Sequence, residues 1–154
     1  MARTLHANNE AVAIAFLKTV PGINALKIAT VLPADKAAWA ASGFIQVTAV
    51  GGSPSMDLPQ ANPVLTVDCW ANNGDSAQAP WGKAANLAEN IRYALYTNPT
   101  FFGKQVDPGS QFALVRVLSA WFITEPRRIT GDPNAYARFS FDLTLVWTEV
   151  AAGV

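Results

Sequence analysis

Few residues in this 154-residue chain carry side chains suited to covalent or acid–base chemistry, and their spacing argues against most of it. Nucleophilic catalysis needs a serine or cysteine, a base that takes its proton, and a group that orients the base. The chain has one histidine, His6, and one cysteine, Cys69. His6 falls in residues 1–8, which read as a flexible N-terminal tail, so no Ser/His/Asp or Cys/His arrangement is expected. Cys69 sits in VDCW as a small core hydrophobe; alone it can form neither an intrachain disulfide nor a CxxC motif. The run GGSPS at 51–55 shares part of a nucleophile elbow but lacks the final glycine and does not lead from strand into helix. A phosphate cradle needs a glycine turn entering a helix N-terminus, whereas Gly51 and Gly52 run into Pro54 and Pro59. Asp132 in GDPNA lacks the alternating acids and closing glutamate of a calcium loop. Asp68 and Asp142, on the polar faces of two strands, could meet as an acid–base pair; two carboxylates that are solvated or paired with Arg116 or Arg138 are the expected outcome. The chain is therefore expected to be no enzyme and to hold no cofactor and no metal.

The elements that would position these residues form one domain. An Asn8-Asn9 cap and Glu10 open a helix over 10–19 whose buried face is Ala13, Phe16, Leu17 and Val20, stopped by Pro21 and Gly22. A strand is predicted at 25–32, and a turn or short helical piece at 35–42. A second strand follows at 44–50 and ends at Gly51-Gly52. The third strand, 64–71, alternates Leu65, Val67 and Cys69 against Thr66, Asp68 and Trp70. A second helix, capped by Asp75 or Ser76 with Pro80 in its first turn, presents Leu87, Ala88, Ile91, Ala94 and Leu95 on one side and ends at Asn98-Pro99. Two long β runs complete the chain, 111–125 and 136–150; at ~3.3 Å per residue they would reach about 50 Å, so a bulge bends them or their tips project. The expected class is α+β: a mixed, mostly antiparallel sheet of about five strands with two helices on one face, in the order α-β-β-β-α-β-β.

Composition points toward association. Hydrophobic residues make up 51% of the chain and charged residues only 14%, against about 25% in typical soluble domains, and eleven basic residues cancel eleven acidic ones. Net charge thus gives no long-range attraction to nucleic acid or anionic lipid, and a weakly charged exterior favours burial against other subunits. No apolar run approaches the ~18 residues of a membrane span, and MARTLHANNE lacks a signal-peptide core, which predicts a chain that stays in the cytoplasm where it is made. Two long loops, 51–63 and 126–135, are expected to make contacts. The first offers Gly51, Gly52, Met56, Leu58 and Pro59, and the second offers Arg127 and Arg128, which could meet phosphate or a partner's carboxylates. Among five tryptophans, Trp70 on the polar strand face and Trp81 in the first turn of the second helix are the candidate interface anchors.

The succession EAVAIAFLKTVPGI, VLP, GFIQVTAVGG, VLTVDCWAN and AANLAENIRYAL resembles the tail terminator proteins of long-tailed, siphovirus-type bacteriophages, particularly those of actinobacterial hosts, over about residues 9–96. The resemblance implies a small α/β subunit of a homo-oligomeric ring, in the family a hexamer, that caps the tail tube and joins it to the head connector protein. It further implies residence in the virion neck, DNA passing through the lumen without sequence-specific binding, no membrane partner, and no catalytic residue. The Arg127-Arg128 connection and the long strand pair have no residue-by-residue counterpart in that pattern. Two alternatives stay open: another neck protein such as a head completion or connector protein, and a small ferredoxin-like enzyme or ligand-binding module, which would need a polar pocket between sheet and helices.

Overall fold

The computed structural model describes residues 5–74, 76–97 and 102–150. Helix α1 spans Asn9–Leu17, capped by the Asn8 side chain, which accepts the Ala11 amide at 2.8 Å. Its last expected residues form tight turns instead, Thr19 and Val20 donating to the carbonyls of Phe16 and Leu17. The order continues β1 (Ile28–Ala29), β2 (Phe44–Gly52), β3 (Gln60–Ala61), β4 (Pro63–Ala71), α2 (Trp81–Thr97), β5 (Lys104–Val106), β6 (Val115–Phe122), β7 (Arg127–Ile129) and β8 (Ala137–Glu149). All eight strands join one sheet along β1-β2-β4-β8-β6-β5, with β3 and β7 also on β8. Only β1/β2 is parallel, so the fold is the expected α+β arrangement with three more short strands than the sequence pattern gives.

Those short strands change the two long loops. Gln60 and Ala61 pair with Thr148 and Trp147 in the same register by which β4 pairs with β8, so β3 and β4 are one strand interrupted at Asn62. β2 includes Gly51 and Gly52 and ends at the second, with a bulge between Ala49 and Gly51. The predicted loop 51–63 therefore shrinks to a hairpin tip at 53–59. Arg127 to Ile129 likewise pair with β8, leaving 130–136 as the turn of the second hairpin in place of the predicted loop 126–135. The first long run carries a bulge, a register shift between Val117 and Ser119, and a break separates β6 from β7, whereas β8 is continuous.

Local competition explains the remaining differences. The predicted strand 25–32 reduces to two residues because the Asn24 side chain accepts the Leu26 amide and its carbonyl accepts that of Lys27, holding the entry in a turn. Helix α2 starts at Trp81, with the Pro80 carbonyl accepting the Ala84 amide, so Pro80 precedes the first turn. The Ser76 hydroxyl accepts the Gln78 amide within the preceding loop; Asp75, Asn98 and Pro99 lie outside the described residues. Leu5 to Asn8 belong to the packed structure and do not form the expected flexible tail, since Leu5 bridges Phe112 and exchanges backbone bonds with Gln111 and Ala113.

Both helices lie on one face of the sheet. Val12, Ala13, Phe16 and Leu17 of α1 and Leu87, Ala88, Ile91 and Leu95 of α2 share a core with Val47, Leu65, Val67, Cys69, Phe141, Leu143, Leu145 and Trp147. Each fully buried large side chain contributes about 1.5–3 kcal/mol. Among the described residues the space between sheet and helices is lined by apolar side chains. At one end of the opposite face Trp39, Phe44 and Trp70 form a second cluster with Tyr136 against them.

Candidate functional site

The first hairpin tip is built from its own hydrogen bonds. The Ser55 amide donates to the Gln60 carbonyl (3.1 Å), the Leu58 amide to the Ser55 hydroxyl (3.2 Å), and the Asn62 side chain to the Ser53 carbonyl (3.1 Å). The Thr148 hydroxyl ties the Pro59 carbonyl to β8 at 2.9 Å. Gly52, at φ 103°, is required at the root: a Cβ there would stand 2.2 Å from the Asn62 carbonyl oxygen. The tip so formed presents Met56, 99% exposed, and Leu58, 56% exposed. An apolar pair held outward on ordered backbone is suited to docking against another apolar surface.

Beside the tip is a cleft of about 620 Å³, whose lining includes His6, Ser55, Leu58, Gln60, Thr148 and Glu149. His6 stacks on Trp147 at 5.2 Å and its Nδ1 lies 2.5 Å from Glu149 Oε1, while Trp147 Nε1 donates to Asn9 Oδ1. Sequence reasoning missed this cluster because its members are more than 130 residues apart and no local pattern links them. A histidine held by a carboxylate is half of a nucleophile-activating arrangement. The Ser55 hydroxyl is engaged with the Leu58 amide, however, and no bond joins it to His6 among the described residues. The cluster joins His6 and Asn9 of the N-terminal segment to Trp147 and Glu149 at the end of β8.

The second hairpin brings Arg128 and Trp81 together: the guanidinium sits 4.4 Å above the indole ring, whose edge meets Phe139. Arg127 is exposed, with a long 3.5 Å bond to the Thr124 hydroxyl. Trp70, expected as an interface anchor, is 8% exposed and is used within the chain. Its Nε1 donates to Gln46 (3.1 Å), Tyr136 meets it edge-on, and Arg138 stacks on it at 4.8 Å. The cause is the cap of residues 33–43 over that end of the sheet face, which the alternation pattern does not encode. Trp121 is the half-exposed tryptophan instead, at 45%.

The two candidate acids do not form a pair. Asp142 accepts the Thr66 hydroxyl at 2.8 Å, and Asp68 lies 3.8 Å from Arg138, which also holds Asp132 through two bonds of 2.9 and 3.0 Å. Burial, with the Asp68 charge adding to it, pushes the Cys69 thiol far above its usual range, so it stays protonated and inert. Among the described residues no group of three His, Cys, Asp or Glu side chains could hold a metal ion, and no helix is long and apolar enough to cross a membrane.

No protein-family model matches this chain, and no curated protein does. Among solved structures it is similar to a chain of the "Virion of native gene transfer agent (GTA) particle", with a TM-score of 0.50 at 12% identity over 92% of this chain and 86% of that one. At that identity the likeness is one of fold.

Proposed function

We propose that this chain is a structural virion protein of a phage-like particle, a tail terminator that assembles with copies of itself into a ring, caps the tail tube and joins it to the head connector. The observation that carries the proposal is the fold likeness to a chain of the gene transfer agent virion, which extends over nearly the whole of both chains. The sequence resemblance over residues 9–96 points the same way. The geometry fits a role in contact more than in catalysis: apolar side chains line the space between sheet and helices, and ordered hairpins carry exposed Met56, Leu58 and Arg127. In a closed ring each subunit uses two different patches, and its rims meet two different partners. Double-stranded DNA would pass through the lumen without sequence reading, in keeping with the zero net charge.

The test combines sedimentation at several concentrations with a pull-down of a tail tube protein from the same particle. The expected result is a discrete oligomer, or one that closes on the tube, together with capture of the tube protein. A strict monomer that ignores the tube protein overturns the proposal.

A further inference from the structure

Backbone edges are the least satisfied feature of this sheet. Beyond Gln46, the outer side of β2 meets no strand among the described residues, since β1 covers only Ile45 and Gln46. On the far side of the sheet, β5 covers β6 only from Val115 to Val117, and from there through β7 the outer side meets no strand among the described residues. Edges of this kind recruit other strands unless charge, proline or a bulge blocks them. The stretch 48–52, TAVGG, and the stretch 118–123, LSAWFI, contain neither charge nor proline, and each strand carries one bulge, between Ala49 and Gly51 and between Val117 and Ser119. Val50, Trp121 and Ile123 are 56%, 45% and 50% exposed along them.

Both edges carry charge: Glu10 at β2, and Glu125, Arg127 and Arg128 at β6–β7, where Glu125 is paired with Arg92 and Arg128 stacks on Trp81. Glu10 of α1 reaches over the β2 edge and accepts the Ala49 amide at 3.2 Å, occupying a donor that a neighbouring strand would use. Arg127 stands exposed on the β7 edge with its long bond to Thr124. β2 is antiparallel to β4, β4 to β8, and β8 to both β6 and β7, so the two edges run in opposite directions. A rotation about an axis along the strands preserves direction. It therefore brings the β2 edge of one copy against the β6–β7 edge of the next as an antiparallel pair, a head-to-tail contact of the kind that closes rings.

Resting on the ring reading above, we infer that the subunit contact is a continuation of the sheet: the β2 edge of one copy pairs with the β6–β7 edge of its neighbour, and Glu10 leaves the Ala49 amide to pair with the neighbour's Arg127. Glu10 thus guards the edge in the free subunit and selects the partner in the ring.

Charge reversal tests the pairing. Glu10→Arg and Arg127→Glu are each expected to weaken association, measured by sedimentation, by at least about tenfold, because like charges then face each other. The double reversal is expected to restore it to near the wild-type level, with thermal unfolding showing all three variants folded. Glu10→Gln, which retains an acceptor for Ala49, separates loss of the edge bond from loss of charge and is expected to weaken association less than either reversal. A wild-type oligomer that tolerates both single reversals, or a double reversal that fails to recover, overturns the sheet-edge contact and leaves the ring reading standing. A wild-type chain that neither oligomerises nor assembles on tube protein overturns both.

Discussion

Replacing Arg138 by alanine is expected to be among the more destabilising single changes outside the apolar core. Its guanidinium makes two bonds to Asp132, lies 3.8 Å from Asp68 Oδ1 and stacks on Trp70 at 4.8 Å. Asp68 is 8% exposed, and its Oδ1 is shut off from solvent with no hydrogen-bond partner among the described residues. Removing Arg138 leaves that carboxylate buried without a counter-charge, a change that costs about 3–5 kcal/mol in buried pairs. The Arg138 side chain is 26% exposed, so water compensates in part and about 3 kcal/mol is expected. For a domain of this size that lowers Tm by roughly 6–12 °C. The second step identifies the cause: adding Asp68→Asn removes the orphaned charge and is expected to return about 1–2 kcal/mol. Urea titration of the four proteins in this cycle measures both effects. A loss under about 1 kcal/mol, or an Asp68→Asn change that deepens it, would refute the assignment of Arg138 as the counter-ion of Asp68.

The hairpin tip and the core give three further expectations. Met56→Asp with Leu58→Asp should leave stability within about 0.5 kcal/mol of wild type while impairing assembly, and unchanged tail joining would remove the tip from the interface. Gly52→Ala should cost about 1–3 kcal/mol in denaturant titration, because its Cβ would meet the Asn62 carbonyl at 2.2 Å, whereas Gly82→Ala, open on the surface of α2, should be neutral or gain up to about 1 kcal/mol. Cys69 should react with a disulfide reagent only as fast as the chain unfolds, and rapid labelling of the native protein would contradict its burial.

The main elements were legible where one physical signal dominated. The alternation of Phe141, Leu143, Leu145 and Trp147, the helical stripe through Leu87, Ile91 and Leu95, and the Asn8 cap all appear in the structure as the pattern implies. What escaped depends on contacts between distant segments. Gln60-Ala61 and Arg127 to Ile129 have no strand signature of their own; they are strands because β8 is long enough to template them on both sides. Trp70 reads as exposed from period-two alternation alone, but the cap of residues 33–43 buries it, Trp39 being anchored there by its Nε1 bond to the Pro33 carbonyl. His6 looked free because nothing adjacent holds it; Glu149 and Trp147 do so across the whole length of the chain. At the candidate site, sequence indicated which residues are available, and the hairpin backbone determines which are presented outward.

Cryo-electron microscopy of particles assembled with this chain tests the central claim most directly. The expected result is a single closed ring of this subunit between the upper end of the tail tube and the head connector, with continuous sheet density crossing each subunit boundary. Particles whose tails join heads normally while this chain is absent from the junction would contradict it.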